Sequence, residues 1–371
     1  MRIGFDAKRA FSNNTGLGNY SRDTIQILSS YIPNNKYFLY TPTNNKNSRA
    51  SLIYERDNTT ICTPQSLIDR TFKKYWRSKS VVKDLISNKV KIYHGLSNEL
   101  PLGIEKTSIK TVVTIHDLIF MRYPHFFKDI DRKIYHKKFK SACERADIII
   151  AVSEQTKKDI IDYFFISANK IKVVYQGCNQ IFQNKISKKN RELTKYKLPQ
   201  NYLLYVGTIE KRKNLLTLLE ALTEIPKQNL VVIGEGKSYK KKCLKFIAQN
   251  KLSNRVLFLS GLSIEEMAIV YQSAKIMIYP SIFEGFGIPI LEALFSKTPV
   301  ITSYGSCFHE TAGPNSKYID PLSSSNIKEA IIEIQNSKTL QNNMINKGFE
   351  YAQKFTDEKI AKNLLEIYKA L

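Results

Sequence analysis

The sequence holds one tryptophan and five cysteines in 371 residues. Cys62, Cys143, Cys178, Cys243 and Cys307 are scattered, odd in number and without paired spacing. That excludes a disulfide framework and a zinc motif, and reduced thiols suit a cytoplasmic setting. No apolar run approaches the eighteen or so residues that cross a bilayer. Asp6, Lys8 and Arg9 stand where a signal peptide would be apolar. Acidic groups are few, 33 against 57 basic, for a net charge of +24. Residues 1–180 carry 30 basic and 16 acidic groups, and the remainder 27 and 17, so the excess is not confined to a tail. It attracts anionic lipid, nucleotide phosphate or nucleic acid, and charge alone does not choose among them.

Two phosphate-binding fingerprints are also missing. Gly16-x-Gly18 lacks the third glycine of the dinucleotide motif and lies ten residues beyond its strand, which argues against a nicotinamide cofactor. Gly234-Glu-Gly-Lys-Ser238 imitates the end of a P-loop, but Val231 stands where its first glycine belongs.

What is present reads as a two-domain α/β protein. An apolar fraction of 43% and a charged fraction of 24% are those of a globular chain, and the length suits two domains. A strand, a glycine loop and a helix open the chain at Met1–Phe5, 13–21 and Ser21–Ser30. The same order restarts at Tyr202–Val206, Gly207–Asn214 and Leu215–Leu222, the usual opening of a doubly wound domain. Residues 183–199 between them are polar, basic and without periodicity, as at a domain boundary. The segment 70–79 interleaves basic and aromatic residues, which fits either a helix with a solvated basic face or a membrane surface.

The most informative stretch runs from Tyr279 to Leu294. Pro280 stops an apolar strand, and Pro289 suits a first helical position. Gly285 and Gly287 free the backbone between them to approach a ligand closely. Exposed N–H groups then feed a positive helix end, which suits a phosphate. Glu284 and, eight residues later, Glu292 frame the loop. Two further constellations sit at strand ends: His116-Asp117 after Thr111–Ile115, and Arg212-Lys213 in the Gly207 loop at a helix start. Adjacent cations there form a diphosphate clamp, with Arg as a planar fork and Lys as a point charge.

Acid, Gly-Phe-Gly loop, proline and second acid together resemble the E-x7-E signature of the retaining glycosyltransferases of family 4, which adopt the GT-B fold. The resemblance implies two Rossmann-like, doubly wound domains facing a central cleft. They would be residues 1–182 on the acceptor side and 183–355 on the nucleotide-sugar side, with helix 356–371 returning to the first. It places Glu284 and His116 beside the donor sugar as catalytic residues. Gly285, Phe286 and Gly287 would contact sugar and phosphates, Glu292 the ribose, and Gly16, Gly18, Arg212 and Lys213 the diphosphate. His94 resembles part of an acceptor-side loop, and Glu310 matches a common family glutamate. Thr208, Lys297 and His309 depart from the family's usual arginine, glycine and proline. Asp129-Ile-Asp131 is a formal match to the metal-binding D-x-D of other glycosyltransferases, but its surroundings look helical and GT-B enzymes generally need no divalent metal.

The resemblance is strongest to bacterial enzymes of O-antigen and capsule synthesis. It therefore implies no cofactor and no metal, a GDP- or UDP-sugar donor with a mannose-like hexose, and a lipid-linked oligosaccharide acceptor. The place of action would be the cytoplasm, at the anionic inner face of the membrane. The alternatives are another GT-B nucleotide-sugar enzyme, an epimerase or a phosphorylase, or a basic nucleic-acid binder, against which the two framing acids argue.

Overall fold

The computed structural model describes residues 1–13, 15–43, 56–184 and 196–371. Asn14 of the glycine loop and residues 185–195 of the expected linker lie outside them. The chain forms two compact units, Met1–Gly177 with Phe355–Leu371, and Cys178–Lys354.

The first unit is built on seven strands: β1 (Arg2–Asp6), β2 (Lys36–Tyr40), β3 (Thr59–Cys62), β4 (Ile92–Gly95), β5 (Lys110–Ile115), β6 (Ile148–Ala151) and β7 (Ile171–Val173). All pair in parallel, in the order β3-β2-β1-β4-β5-β6-β7. A parallel sheet covered on both faces needs apolar side chains on both, and the strands supply them by alternation. Tyr37 and Leu39 enter one core with Ile3, Phe5, Ile25 and Leu28, whereas Phe38 and Tyr40 enter the other with Trp76, Leu85 and Tyr93. The helix Asp357–Lys369 completes the first core with Ile360, Ala361, Leu364 and Tyr368, a single helical stripe.

The second unit carries β8 (Tyr202–Val206), β9 (Asn229–Ile233), β10 (Val256–Leu259), β11 (Ile276–Tyr279), β12 (Val300–Ser303) and β13 (Lys317–Ile319). They are again parallel, in the order β10-β9-β8-β11-β12-β13. Leu203, Tyr205, Val232, Ile278 and Ile301 share one core with Leu218, Leu222 and Ile331 of the covering helices.

One expected loop is a helix. A short helix, Lys8–Ser12, fills the space after β1, and the next helix runs Gly16–Tyr31, so Gly16 and Gly18 occupy its first turn. Glycine at position 18 serves a close crossing: a Cβ there would lie 1.9 Å from the Asn13 carbonyl oxygen. The Arg22 guanidinium then donates to the carbonyls of Ala10 and Asn13, both at 2.8 Å, and fastens the two helices together.

Candidate active site

In the second sheet β8 and β11 are neighbours, and the chain order turns between them: β9 follows outside β8 and β12 outside β11. Loops leaving the carboxyl ends of two such strands part around a crevice, where open α/β sheets hold ligands. Here they are the Gly207–Asn214 loop and the Pro280–Gly287 loop, tied by the Ile282 N–H to the Arg212 carbonyl at 2.9 Å.

Glu284 is buried at the centre of that pair, 8% exposed. Its Oε1 lies 2.7 Å from Arg212 Nη1 and 2.6 Å from Lys213 Nζ. Lys213 also donates to the Tyr279 hydroxyl at 2.6 Å, and Arg212 pairs with Glu210 at 2.6 Å. Burial alone would raise the Glu284 carboxyl, but the two cations outweigh it and hold the group at about 2. Burial pushes the Lys213 ammonium down, and Glu284 opposes that shift. The cluster is thus a fixed carboxylate carrying two cations, at the carboxyl edge of a sheet.

The loop after Glu284 is held by its backbone. Ser306 Oγ accepts from the Glu284 N–H at 3.2 Å and donates to its carbonyl at 2.9 Å. The Cys307 thiol and the Thr311 hydroxyl both donate to the Phe286 carbonyl, at 2.9 and 2.7 Å. The Phe286 ring is itself buried. Gly287 takes φ of 108°, a left-handed value that an L side chain rarely adopts, and starts the helix Ile288–Phe295. Pro289 is its second residue, not its first as expected. Glu292 lies on this helix, 8% exposed, and accepts from the Tyr271 hydroxyl at 2.6 Å. Burial pushes its carboxyl up to about 7, and the tyrosine hydrogen bond pulls it back only in part.

In the first unit His116 directly follows β5 and is 8% exposed. Its Nε2 lies 2.9 Å from the Leu96 carbonyl, an acceptor only, so that nitrogen carries the proton. Nδ1 is left as the acceptor, with the Gln176 amide 3.4 Å away. Burial lowers the imidazole to about 4, against the opposing pull of the Leu96 carbonyl, so the ring is neutral at physiological pH. Tyr20, from the helix that Gly16 and Gly18 begin, packs edge-on against it with ring centres 4.6 Å apart.

The structure therefore assembles Arg212, Lys213, Glu284, Gly285, Phe286 and Gly287 into one cluster, with Glu292 on the helix that continues it. His116, Gly16 and Gly18 belong to the other unit. His94 is not in an acceptor-side loop. It lies inside β4, fully buried, with Nδ1 2.7 Å from the Tyr368 hydroxyl and Nε2 2.8 Å from Thr114 Oγ1. Burial pushes it down to about 3, as for a core histidine. Asp129 and Asp131 open the helix Asp129–Arg145, and Asp129 pairs with Arg132 at 3.0 Å. Among the described residues no cluster of three or more His, Cys, Asp or Glu is placed to hold a metal. Glu310 lies in the short helix Phe308–Ala312, and its carbonyl accepts from the Tyr351 hydroxyl. Tyr271, Tyr279, Ser306 and Thr311 had no distinguishing sequence signal, because each reads as an ordinary core or loop residue.

Two parallel-sheet α/β units of this build are those of the GT-B fold. The glycosyltransferase family 4 pattern matches residues 36–180 and the glycosyl transferases group 1 pattern residues 186–351. Together the two patterns span most of the chain, which belongs to the glycosyltransferases they describe. It is 26% identical over 290 residues to O-antigen chain mannosyltransferase B of Escherichia coli, covering 76% of this chain and 74% of that protein. It is 30% identical over 224 residues to O-antigen chain mannosyltransferase RfbU of Salmonella typhimurium, covering 60% of each. Among solved structures, a glycosyltransferase from Rickettsia africae superimposes with a TM-score of 0.76 at 18% identity, covering 100% of this chain and 97% of that one. HepE of Anabaena, in complex with UDP, superimposes with a TM-score of 0.77 at 17% identity, covering all of both chains.

Proposed function

We propose that this glycosyltransferase moves a mannose-like hexose from a nucleoside-diphosphate sugar to a lipid-linked or polysaccharide acceptor of bacterial surface glycan synthesis. The configuration at the sugar carbon is retained and no metal takes part. The observation that carries the reading is the Arg212–Lys213 pair on Glu284 at the head of the Gly285–Gly287 loop. A departing diphosphate needs fixed positive charge, and two cations already oriented in a buried site supply it without reorganisation. The bond from the sugar carbon to the diphosphate oxygen breaks, the bond to the acceptor oxygen forms on the same face, and the acceptor proton passes to the leaving phosphate. Glu292 accepts from the ribose hydroxyls, and His116 offers Nδ1 to a hydroxyl proton. The O-antigen mannosyltransferases among the relatives support the choice of sugar and pathway.

The test is to follow free nucleoside diphosphate from GDP-mannose and UDP-hexoses, with and without a lipid-linked acceptor, and to read the anomeric configuration of the product by NMR. Release that depends on acceptor, with retention, supports the reading. Isomerised donor without release would favour an epimerase, and use of a free sugar phosphate a phosphorylase.

A further inference from the structure

Parallel pairing between β11 and β12 ends at Tyr279 and Thr302, and Pro280, which has no N–H to donate, follows directly. The loop carbonyls beyond that point lose their sheet partner, and buried carbonyls need one. Hydroxyls from β12 and the segment after it take over in sequence. Thr302 Oγ1 donates to the Tyr279 carbonyl at 3.1 Å, and Ser303 Oγ to the Ser281 carbonyl at 2.7 Å. Ser306 and Thr311 then take the carbonyls of Glu284 and Phe286. One row of hydroxyls follows the loop from the strand end to the acid and the glycines.

The far end of that row does more than satisfy carbonyls. Ser306 holds φ of 51°, a left-handed value that few residues other than glycine take, and residues held so cluster at functional sites. In that conformation one hydroxyl brackets Glu284, accepting from its N–H and donating to its carbonyl. The Phe286 carbonyl has two donors where one would satisfy it, Thr311 and Cys307, both fully buried. Burial, with the Glu284 carboxylate adding to it, pushes the Cys307 thiol up, so it stays protonated and a donor. The peptide bonds of this loop are trans, and in a planar trans peptide a carbonyl and the next N–H point in opposite directions. With the Glu284 and Phe286 carbonyls held toward Ser306, Cys307 and Thr311, the N–H groups of Gly285 and Gly287 turn away from those three side chains.

We infer that Ser306, Cys307 and Thr311 are positioning residues: by holding two carbonyls from behind, they aim the Gly285 and Gly287 N–H groups at the diphosphate as its charge develops. This role presupposes the nucleotide-sugar transfer proposed above. A donor aimed in advance needs no reorganisation when the bond to the sugar breaks. Losing the aim therefore lowers the rate more than it weakens donor binding.

The experiment is steady-state transfer from the nucleotide sugar that the wild type uses, well below each variant's melting temperature, with kcat and donor KM read separately. Thr311→Val keeps the shape and removes the hydroxyl, and Thr311→Ser keeps the hydroxyl. Ser306→Gly removes the bracket and relieves the backbone. In Thr311→Val and Ser306→Gly kcat should fall about ten- to a hundredfold, with donor KM little changed. Thr311→Ser should recover most of the rate. Ser306→Gly should melt near the wild-type temperature while its rate falls, an outcome that a merely structural role excludes. Ser306 is only half-buried, so this variant carries the test if Thr311→Val does not fold. Wild-type kcat in Ser306→Gly, or a rise in KM alone, would overturn the positioning role and leave the transfer reading standing. Absence of transfer by the wild type from any nucleotide sugar would overturn both.

Discussion

The Tyr271 hydroxyl donates to Glu292 Oε2 at 2.6 Å in a pocket that leaves the carboxylate 8% exposed. Burial raises this acid to about 7 from its ordinary 4.5. The folded state therefore keeps a proton that the unfolded chain releases between those values. Glu292 favours folding fully below about pH 4.5, and that contribution is lost as pH rises through about 7. The shift corresponds to about 3 kcal/mol. Urea titrations from pH 4 to 8 should show a downward slope that Glu292→Gln flattens. Tyr271→Phe removes the stabilising hydrogen bond and should move the midpoint upward; an unchanged midpoint would show that the tyrosine does not act on the acid.

The same acid sets a pH dependence on binding. A ribose diol is best held by the ionised carboxylate, so nucleoside diphosphate affinity should improve as pH rises through about 7. Isothermal titration of the wild type and Glu292→Gln tests this, and the variant's affinity should be weaker and flat with pH. A wild-type affinity that falls across that range would contradict the ribose assignment.

Glu284 behaves in the opposite sense. Held at about 2 by Arg212 and Lys213, it contributes stability that is present above pH 4.5 and lost as pH falls toward 2. Glu284→Ala leaves buried Lys213 beside Arg212 with only the half-exposed Glu210, on Arg212, as counter-charge, and should cost about 3–5 kcal/mol in chemical denaturation. Glu284→Gln keeps the shape and should fold better than Glu284→Ala. It should still transfer about 10²-fold more slowly, because Arg212 and Lys213 lose the carboxylate that orients them. Near-normal turnover by Glu284→Gln would remove this residue from the chemistry.

The histidine pair separates role from type. His94 and His116 both follow apolar strand residues, but His94 spends both ring nitrogens on Tyr368 and Thr114. Tyr368→Phe should therefore cost about 1–3 kcal/mol of stability with little effect on turnover, because it leaves a buried ring nitrogen unpaired. A loss of turnover at unchanged stability would return His94 to the site.

These contrasts show what could be read from the sequence. The strand–loop–helix repetition and the spacing of Glu284, Gly285–Gly287 and Glu292 were visible because each is local, fixed by turn chemistry and helix starts within a short stretch of chain. Arg212 and Lys213 were legible as a clamp at a helix start, but their grip on Glu284 depends on β8 and β11 lying side by side, a long-range pairing with no local mark. Gly16 and Gly18 looked like a loop because glycine reads as punctuation. The close approach of Asn13 explains glycine at position 18 inside a helix. His94 was misplaced because its partner Tyr368 arrives from the far end of the chain. Tyr271 was invisible, since a tyrosine on an apolar helix reads as core until its hydroxyl's partner is known.

The most direct test of the central claim is the melting temperature of the wild type and Glu292→Ala with UDP, GDP or ADP at concentrations up to millimolar. A ligand bound only by the folded state stabilises it by mass action. One diphosphate should raise the wild-type melting temperature, and Glu292→Ala should abolish the shift. No shift with any nucleotide would contradict a nucleoside-diphosphate-sugar transferase, and an equal shift in both proteins would contradict the place of Glu292 in it.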